Sequence, residues 1–312
     1  MLLVLGAAGC PSRERKVVTA FYAASLSKSF AELERKLEEK HPDLDLRLEP
    51  SGSQVAARKV SELNRRADLV FVADWRVIEE LLVPEHAEWQ IQFAANELVL
   101  AHAEHSPYTE TITADNWPEL LLKPEVRLGR GDENTAPIGF QTLQLWKLAG
   151  EHYGPGKVGE DLAGRLDAKV KPEHVVPDIV ELVVQLQAKA IDYAFVFRSI
   201  AEEHNLKVVR LPDAYNLGSP KMARIYLRVS VPVVIETGEP PVQVKGAPIV
   251  YGVTIPKTAP NPSGAQRVIA FLLGDEGRRI MERSGFRPLD PPRGLNSGRL
   301  PPTLKGMVAD EP

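Results

Sequence analysis

The chain has 312 residues, 44 % hydrophobic and 26 % charged, with 38 Lys and Arg against 42 Asp and Glu for a formal net charge of −4. This globular balance excludes a disordered chain, a collagen and a coiled coil, and it lacks the broad positive field of a nucleic-acid binder. An anion bound here must be held by local geometry, because the net field repels it. In chain order, VVTAFY at 17–22 predicts a short apolar strand. Between Ser25 and Lys40, Leu26, Phe30, Leu33 and Leu37 fall on one face of an amphipathic helix, with Ser27 or Ser29 as candidate caps. LDLRLEP alternates as a strand, SGS turns, and Val55–Arg65 reads as a second helix. ADLVFVAD is a third strand and Trp75–Leu82 a short helix. FAANELVLAHA, at 93–103, is a long strand-like run. Later come an apolar helix from Phe140 to Leu148, helix Ile179–Ala188, strand IDYAFVF, a strand near 248–256 and helix Gly264–Leu273. Strands alternating with helices, in groups at about 17–92 and 93–200, imply βαβ units and mostly parallel sheets. The Pro/Gly-rich stretch after Phe286 predicts a poorly ordered tail.

The one cysteine, Cys10, excludes a disulfide framework or a cysteine-based zinc site within the chain. An apolar run and the small residues Ala7, Ala8 and Gly9 precede it, and a polar stretch follows. The arrangement resembles a lipoprotein signal, in which Cys10 becomes the lipidated first residue and 1–16 form a signal remnant and tether. No other stretch approaches the apolar length of a membrane helix. GPGKVG at 154–159 matches GxGxxG, but it follows a helix, and Pro155 sits where a phosphate cradle needs an amide. His102 and His105 stand three apart with no third metal ligand in view. A GxSxG elbow, an HExxH pair and a P-loop are all missing, which leaves an enzyme no constellation to use.

The remaining signal comes from the starts of helices. Ala24-Ser25 and Ser51-Gly52-Ser53 each lie between a strand and a helix, as do Thr135–Gly139 and Pro177-Asp178-Ile179. Such turns offer unpaired amides, and the helix dipole favours negative charge there. Singly, each is an ordinary cap. Together, two in each half of the chain, they fit one anion held in a cleft between lobes.

The stretches AASLSKSFAELERKLEEKHPDLDL, SGSQVAARKVSEL, ADLVFVAD, FAANELVLA, IDYAFVFRSIAEEH, LPDAYNLGSP and PIVYGVTIPKTAPNP occur in that order, followed by FLLGDEGRRIMERSG. With them the chain resembles, over about 17–290, the archaeal-type tungstate/molybdate-binding proteins of ABC importers, a family of extracellular solute-binding proteins. The resemblance implies an α/β, type II periplasmic-binding-protein fold with two lobes and a central cleft. Lobe one would be 17–92 plus 259–290, lobe two 93–258, and 291–312 a flexible tail. The ligand residues it implies fall on Ala24, Ser25, Ser53, Ala136, Ile138, Ile179 and Tyr193. Two carboxylates of the archaeal-type members fall on Ala136 and Ile179, so direct carboxylate ligation of a metal is lost. Asp178, one residue out of register, is the remaining carboxylate candidate. A tetraoxoanion would then be bound intact by neutral donors, as in other bacterial molybdate-binding proteins. The resemblance further implies a monomeric receptor without enzymatic activity or cofactor, lipid-anchored on the extracytoplasmic face of the membrane. Its partners would be a permease and an ATPase, with no nucleic acid. Two alternatives stay open: a receptor for another oxyanion or small organic anion, and an enzyme reusing the fold.

Overall fold

The computed structural model describes residues 15–154, 159–234 and 239–310. The lipidation candidate Cys10 and most of GPGKVG lie outside the described residues. The strands are β1 (Lys16–Ala23), β2 (Leu44–Ser51), β3 (Leu69–Val72), β4 (Gln90–Asn96), β5 (Leu98–His102), β6 (Leu128–Gly131), β7 (Val175–Val176), β8 (Tyr193–Phe197), β9 (Lys207–Val209), β10 (Ser230–Val233), β11 (Val242–Lys245), β12 (Ile249–Thr254), β13 (Arg287–Leu295) and β14 (Ala309–Asp310). The helices are α1 (Ser27–Lys40), α2 (Ser53–Ser61), α3 (Arg76–Leu81), α4 (Trp117–Leu121), α5 (Pro137–Tyr153), α6 (Leu162–Lys169), α7 (Ile179–Gln187), α8 (Arg198–Glu203), α9 (Ala223–Tyr226), α10 (Pro262–Leu273), α11 (Asp275–Arg283) and α12 (Pro302–Lys305).

These strands build two large sheets and a hairpin. One sheet runs β14-β13-β4-β12-β3-β1-β2, the other β7-β6-β8-β5-β9, and β10 pairs with β11. β1 is parallel to β2 and β3, as the βαβ reading requires. The parallel expectation fails where the chain returns. β12 lies antiparallel to both β3 and β4, and β5 antiparallel to β8 and β9, so each sheet is mixed. The apolar positions of α1 do what their spacing demands: Leu33 and Leu37 are buried against the first sheet with Phe30. Each such side chain contributes roughly 1.5–3 kcal/mol of transfer free energy. α2 and α3 cover the opposite face through Ala56, Ala57, Val60 and Ile78. α7 does the same for the second sheet through Leu182 and Leu186.

The chain passes between the sheets at Glu97, joining β4 to β5, and again between β11 and β12. The expected boundaries are corrected accordingly. β4 extends past residue 92 to Asn96, and β12, assigned by the sequence to the second lobe, is a central strand of the first sheet. The flexible tail expected at 291–312 is also corrected through Asp310. Residues there finish β13, make a turn at Ser297–Arg299 and form α12 and β14, burying Leu295, Leu300 and Leu304. The prolines are tolerated because β13 loses register between Pro288 and Arg293. Pro291 and Pro292 therefore fall where no ladder amide is needed.

Glu97 is 2 % exposed and carries the crossing. Arg210 approaches its Oε1 at 2.8 Å and Arg198 at 3.4 Å, while Arg287 approaches Oε2 at 3.1 Å. Asn216 Nδ2 donates to Oε2 at 3.1 Å. Arg287 belongs to β13 of the first sheet and also pairs with Asp213 at 2.6 Å, so this network ties the two halves together at their junction.

Candidate functional site

A cavity of about 440 Å³ lies between the sheets. From the first sheet it is lined by the turns that follow β1, β2 and β3: Ser25, Gly52 to Val55, and Ala73, Asp74, Arg76 and Val77. From the second half come Pro137, Phe140, Gln141 and Gln144 of α5, and Phe197 at the end of β8. The crossing stretch that leads into β12 closes the floor, with Tyr251 among its lining residues. Ligand sites at the carboxyl ends of strands are the rule for open α/β sheets.

Ser25 sits in a turn of 3-10 helix, Ala24–Leu26, rather than at an α-helical cap. Its Oγ lies 3.0 Å from the Tyr251 hydroxyl. The expected caps of α1 do not form. Ser29 donates to the Leu26 carbonyl, and Ser27 bonds Tyr22. Ser53 opens α2, and its Oγ accepts the Ala73 amide at 2.9 Å, tying two cleft turns together. Having accepted there, the Ser53 hydroxyl keeps its own proton for a ligand. Ala24 is exposed in the turn beside Ser25.

Across the cleft, Ala136 is the N-cap of the 17-residue helix α5, with Pro137 as its first residue. The Ile138 side chain is buried in the core, so only its amide, in the first turn, could serve an anion. Gly139 is required here: a Cβ would stand 2.3 Å from the Asp132 carbonyl, so only glycine lets α5 seat on that turn. Gln144 Nε2 donates to the Val244 carbonyl at 2.9 Å, and Gln141 Oε1 is buried with no partner among the described residues.

Three expected site residues stand elsewhere. Tyr193 is fully buried at the start of β8, the opposite end from the cleft, and its hydroxyl donates to the Pro107 carbonyl at 2.5 Å. Burial pushes its pKa up to about 12, and the hydroxyl is already committed. The residue that β8 presents to the cleft is Phe197. Ile179 is half-buried at the start of α7, packed against the core and absent from the cavity wall. Asp178 caps α7, its Oδ1 accepting the Glu181 amide at 2.9 Å, so this carboxylate closes its own helix. The turn before α7 is fastened to the one before α5, where Thr135 Oγ1 donates to the Pro177 carbonyl at 2.8 Å. Three of the four expected helix starts therefore meet at the cavity.

Tyr251, Phe140, Gln141 and Phe197 were missed in the sequence. Their signals were available only as hydrophobic or helical positions in β12, α5 and β8. Asp74 places a carboxylate on the wall, but Arg76 holds it in a two-pronged pair at 2.6 Å, so it brings little net charge. Lys245, on the opposite side, has no ion-pair partner among the described residues. His102 is buried against Tyr193, its Nδ1 beside the Ala103 carbonyl, and burial lowers its pKa. Among the described residues no three His, Cys, Asp or Glu side chains stand together as a metal site. No helix among them is long and apolar enough to cross a membrane.

Residues 18–287 match the model of the bacterial extracellular solute-binding protein family. A solute-binding protein of Petrotoga mobilis is 41 % identical, covering 93 % of this chain and 89 % of the relative. The molybdate/tungstate-binding proteins WtpA of Thermococcus kodakarensis and Pyrococcus abyssi are 33 % and 34 % identical, each covering 99 % of this chain and 94 % and 95 % of their own. Among solved structures, the substrate-binding domain of a putative molybdenum ABC transporter from Clostridium difficile superposes with a TM-score of 0.65 at 18 % identity, over 88 % of this chain and 99 % of that one. The periplasmic molybdate-binding protein of Azotobacter vinelandii gives 0.56 at 16 % identity, over 86 % and 98 %. The two-lobed binding-protein fold and the family match agree: the chain belongs to the bacterial extracellular solute-binding proteins.

Proposed function

We propose that the chain is the substrate-binding component of an ABC importer and that its cleft captures molybdate or tungstate as an intact tetrahedral dianion. One observation carries this reading. The hydroxyls of Ser25 and Ser53 and the first turn of α5 face a single cavity whose only lining carboxylate, among the described residues, is compensated by Arg76. The names of the two archaeal relatives support the choice of ion. The donors are the Ser25 and Ser53 hydroxyls, amides of the turns at Ala24 and Gly52, and the Ile138 amide. Hydrogen bonds to a charged group contribute about 1.5–3 kcal/mol each, and desolvation of the dianion offsets much of the sum. Selection among dianions of one charge then rests on cavity size.

The lobes are 15–96 with 249–310, and 97–245. The ion meets the first lobe, and the second closes over it by a hinge movement at the Glu97 crossing, driven by contacts made only when closed. Capture is the whole action, without chemical change to the ion. A permease and its ATPase take the ion from a monomeric receptor, held outside the cytoplasm by lipid on Cys10. A single acyl chain anchors weakly, so two or more are required.

A second reading has one observation in its favour. Pro137, Phe140, Phe197 and Val244 make the second wall largely apolar, which suits an anion bearing a small apolar substituent. Isothermal titration with molybdate, tungstate, sulfate, phosphate and phenylphosphonate separates the two. Molybdate or tungstate should bind tighter than about 10 μM, or about −7 kcal/mol. Binding of none at that level removes the import of these ions as the role, and preference for phenylphosphonate favours the second reading.

A further inference from the structure

Three charged side chains line the cavity: Asp74, Arg76 and Lys245. Asp74 and Arg76 neutralise each other at 2.6 Å, so the charge left over at the cleft is the Lys245 ammonium. Among the described residues no carboxylate pairs with it. The chain as a whole has a formal net charge of −4, so this local positive charge opposes the surrounding field. The backbone that carries it is held from three sides. Lys245 ends β11 and pairs with Ser230 of β10 in the hairpin ladder. Gln144 of α5 holds the preceding residue through the Val244 carbonyl at 2.9 Å. The following residue, Gly246, donates its amide to the Val229 carbonyl at 3.0 Å, and a Cβ there would stand 2.4 Å from the Tyr226 carbonyl oxygen. Only glycine lets the chain pass so close. The freedom lies in the Lys245 side chain, which is exposed, lines the cavity and carries its charge on a flexible four-carbon stem.

We infer that Lys245 is a further binding residue of the cleft, whose ammonium draws a dianion to the Ser25 and Ser53 turns and faces it across the closed cavity. Its place in the chain suits that task. Lys245 stands just before the crossing into β12, beside the hinge rather than at the outer edge of the second lobe. A group near a hinge moves little when the lobes swing, so its charge acts on the open cleft as well as the closed one. Attraction over a distance raises the association rate, and salt screens it. Coulomb energy also scales with the charge of the ligand. One ammonium therefore favours a dianion over a monoanion of the same shape, a discrimination that cavity size alone does not supply.

The inference rests on the oxyanion reading, and one titration series separates the two. Wild type, Lys245→Met and Lys245→Arg are titrated with molybdate and with perrhenate, a tetrahedral monoanion of similar size. Ionic strengths of about 0.01 M and about 0.15 M set the screening length at about 30 Å and about 8 Å. Apo melting temperatures confirm folding. Lys245→Met should weaken molybdate binding at least about tenfold at the lower salt, with slower association in stopped flow, and the deficit should shrink at the higher salt. The same substitution should lower the ratio of molybdate to perrhenate affinity, because a monoanion has less attraction to lose. Lys245→Arg keeps the charge and should stay within about threefold of wild type. An unchanged affinity in Lys245→Met, or a loss that is independent of salt and not restored by arginine, overturns the role of Lys245 while the oxyanion reading stands. Failure of wild type to bind molybdate overturns both.

Discussion

The two walls of the cleft are built differently. The wall on the first sheet is made of strand-to-helix turns stitched to one another: Ser53 accepts the Ala73 amide, Ser25 meets Tyr251, and Arg76 neutralises Asp74. The wall on the second half is a single long helix start with Phe140 beside it and Phe197 at the strand end. With its acceptor side committed to the Ala73 amide, the Ser53 hydroxyl of the first wall is left as a donor to the cleft. The second contributes mainly apolar shape, with Gln141, Gln144 and Lys245 as its polar side chains. On the proposed reading the ion is held on the first wall and the second excludes water, which strengthens every bond beneath it.

The largest effect is expected where the walls are joined. Glu97→Ala removes the carboxylate shared by Arg198, Arg210 and Arg287, and should cost about 2–3 kcal/mol in urea unfolding, below the usual 3–5 for breaking a buried pair because Arg210 is largely exposed. A loss under about 0.5 kcal/mol would mean the crossing does not depend on that network. Next comes the contrast between the walls. Ser53→Ala should weaken molybdate binding at least about tenfold, while Phe140→Ala, which removes no donor, should change it less than about threefold. Reversal of that order in calorimetry would assign the ion to the second wall. Tyr193→Phe should leave affinity unchanged and cost about 1 kcal/mol of stability, from its bond to Pro107. A weakened affinity there would restore Tyr193 to the site.

The smallest effect concerns Glu49 on β2. Hydrogen bonds from Arg65, then Lys59, lower its pKa from 4.5 to about 2. A carboxylate with a lowered folded value adds stability above its unfolded pKa and loses it as pH falls from about 4.5 towards 2. Its side chain is 37 % exposed, so solvent screening keeps the contribution below about 1 kcal/mol. Glu49→Gln should therefore be less stable than wild type at neutral pH, and the gap should close in acid, as followed by urea midpoints. A gap independent of pH would refer the effect to packing.

Much of the fold could be read from pattern, because local spacing decides which face of an element is apolar. α1 lies where Phe30, Leu33 and Leu37 demanded, and β1, β2 and β3 with α2 alternate as expected. The misreadings fall where pattern is silent about partners. Proline and glycine in 287–295 suggested disorder, yet the interrupted register of β13 absorbs them. Tyr193 and Phe197 belong to one strand, and nothing in IDYAFVF says which end meets the cleft.

Hydrophobic periodicity and helix-start chemistry, both properties of neighbouring residues, determined the α/β class, the strand-helix alternation and the candidacy of Ser25 and Ser53. Only the tertiary structure decided that Tyr251, more than two hundred residues away, meets Ser25, that Asp178 is spent on its own helix, and that Tyr193 faces away. Those outcomes depend on which strands become neighbours and which end of each faces the other lobe. Such long-range pairing leaves no mark in local spacing.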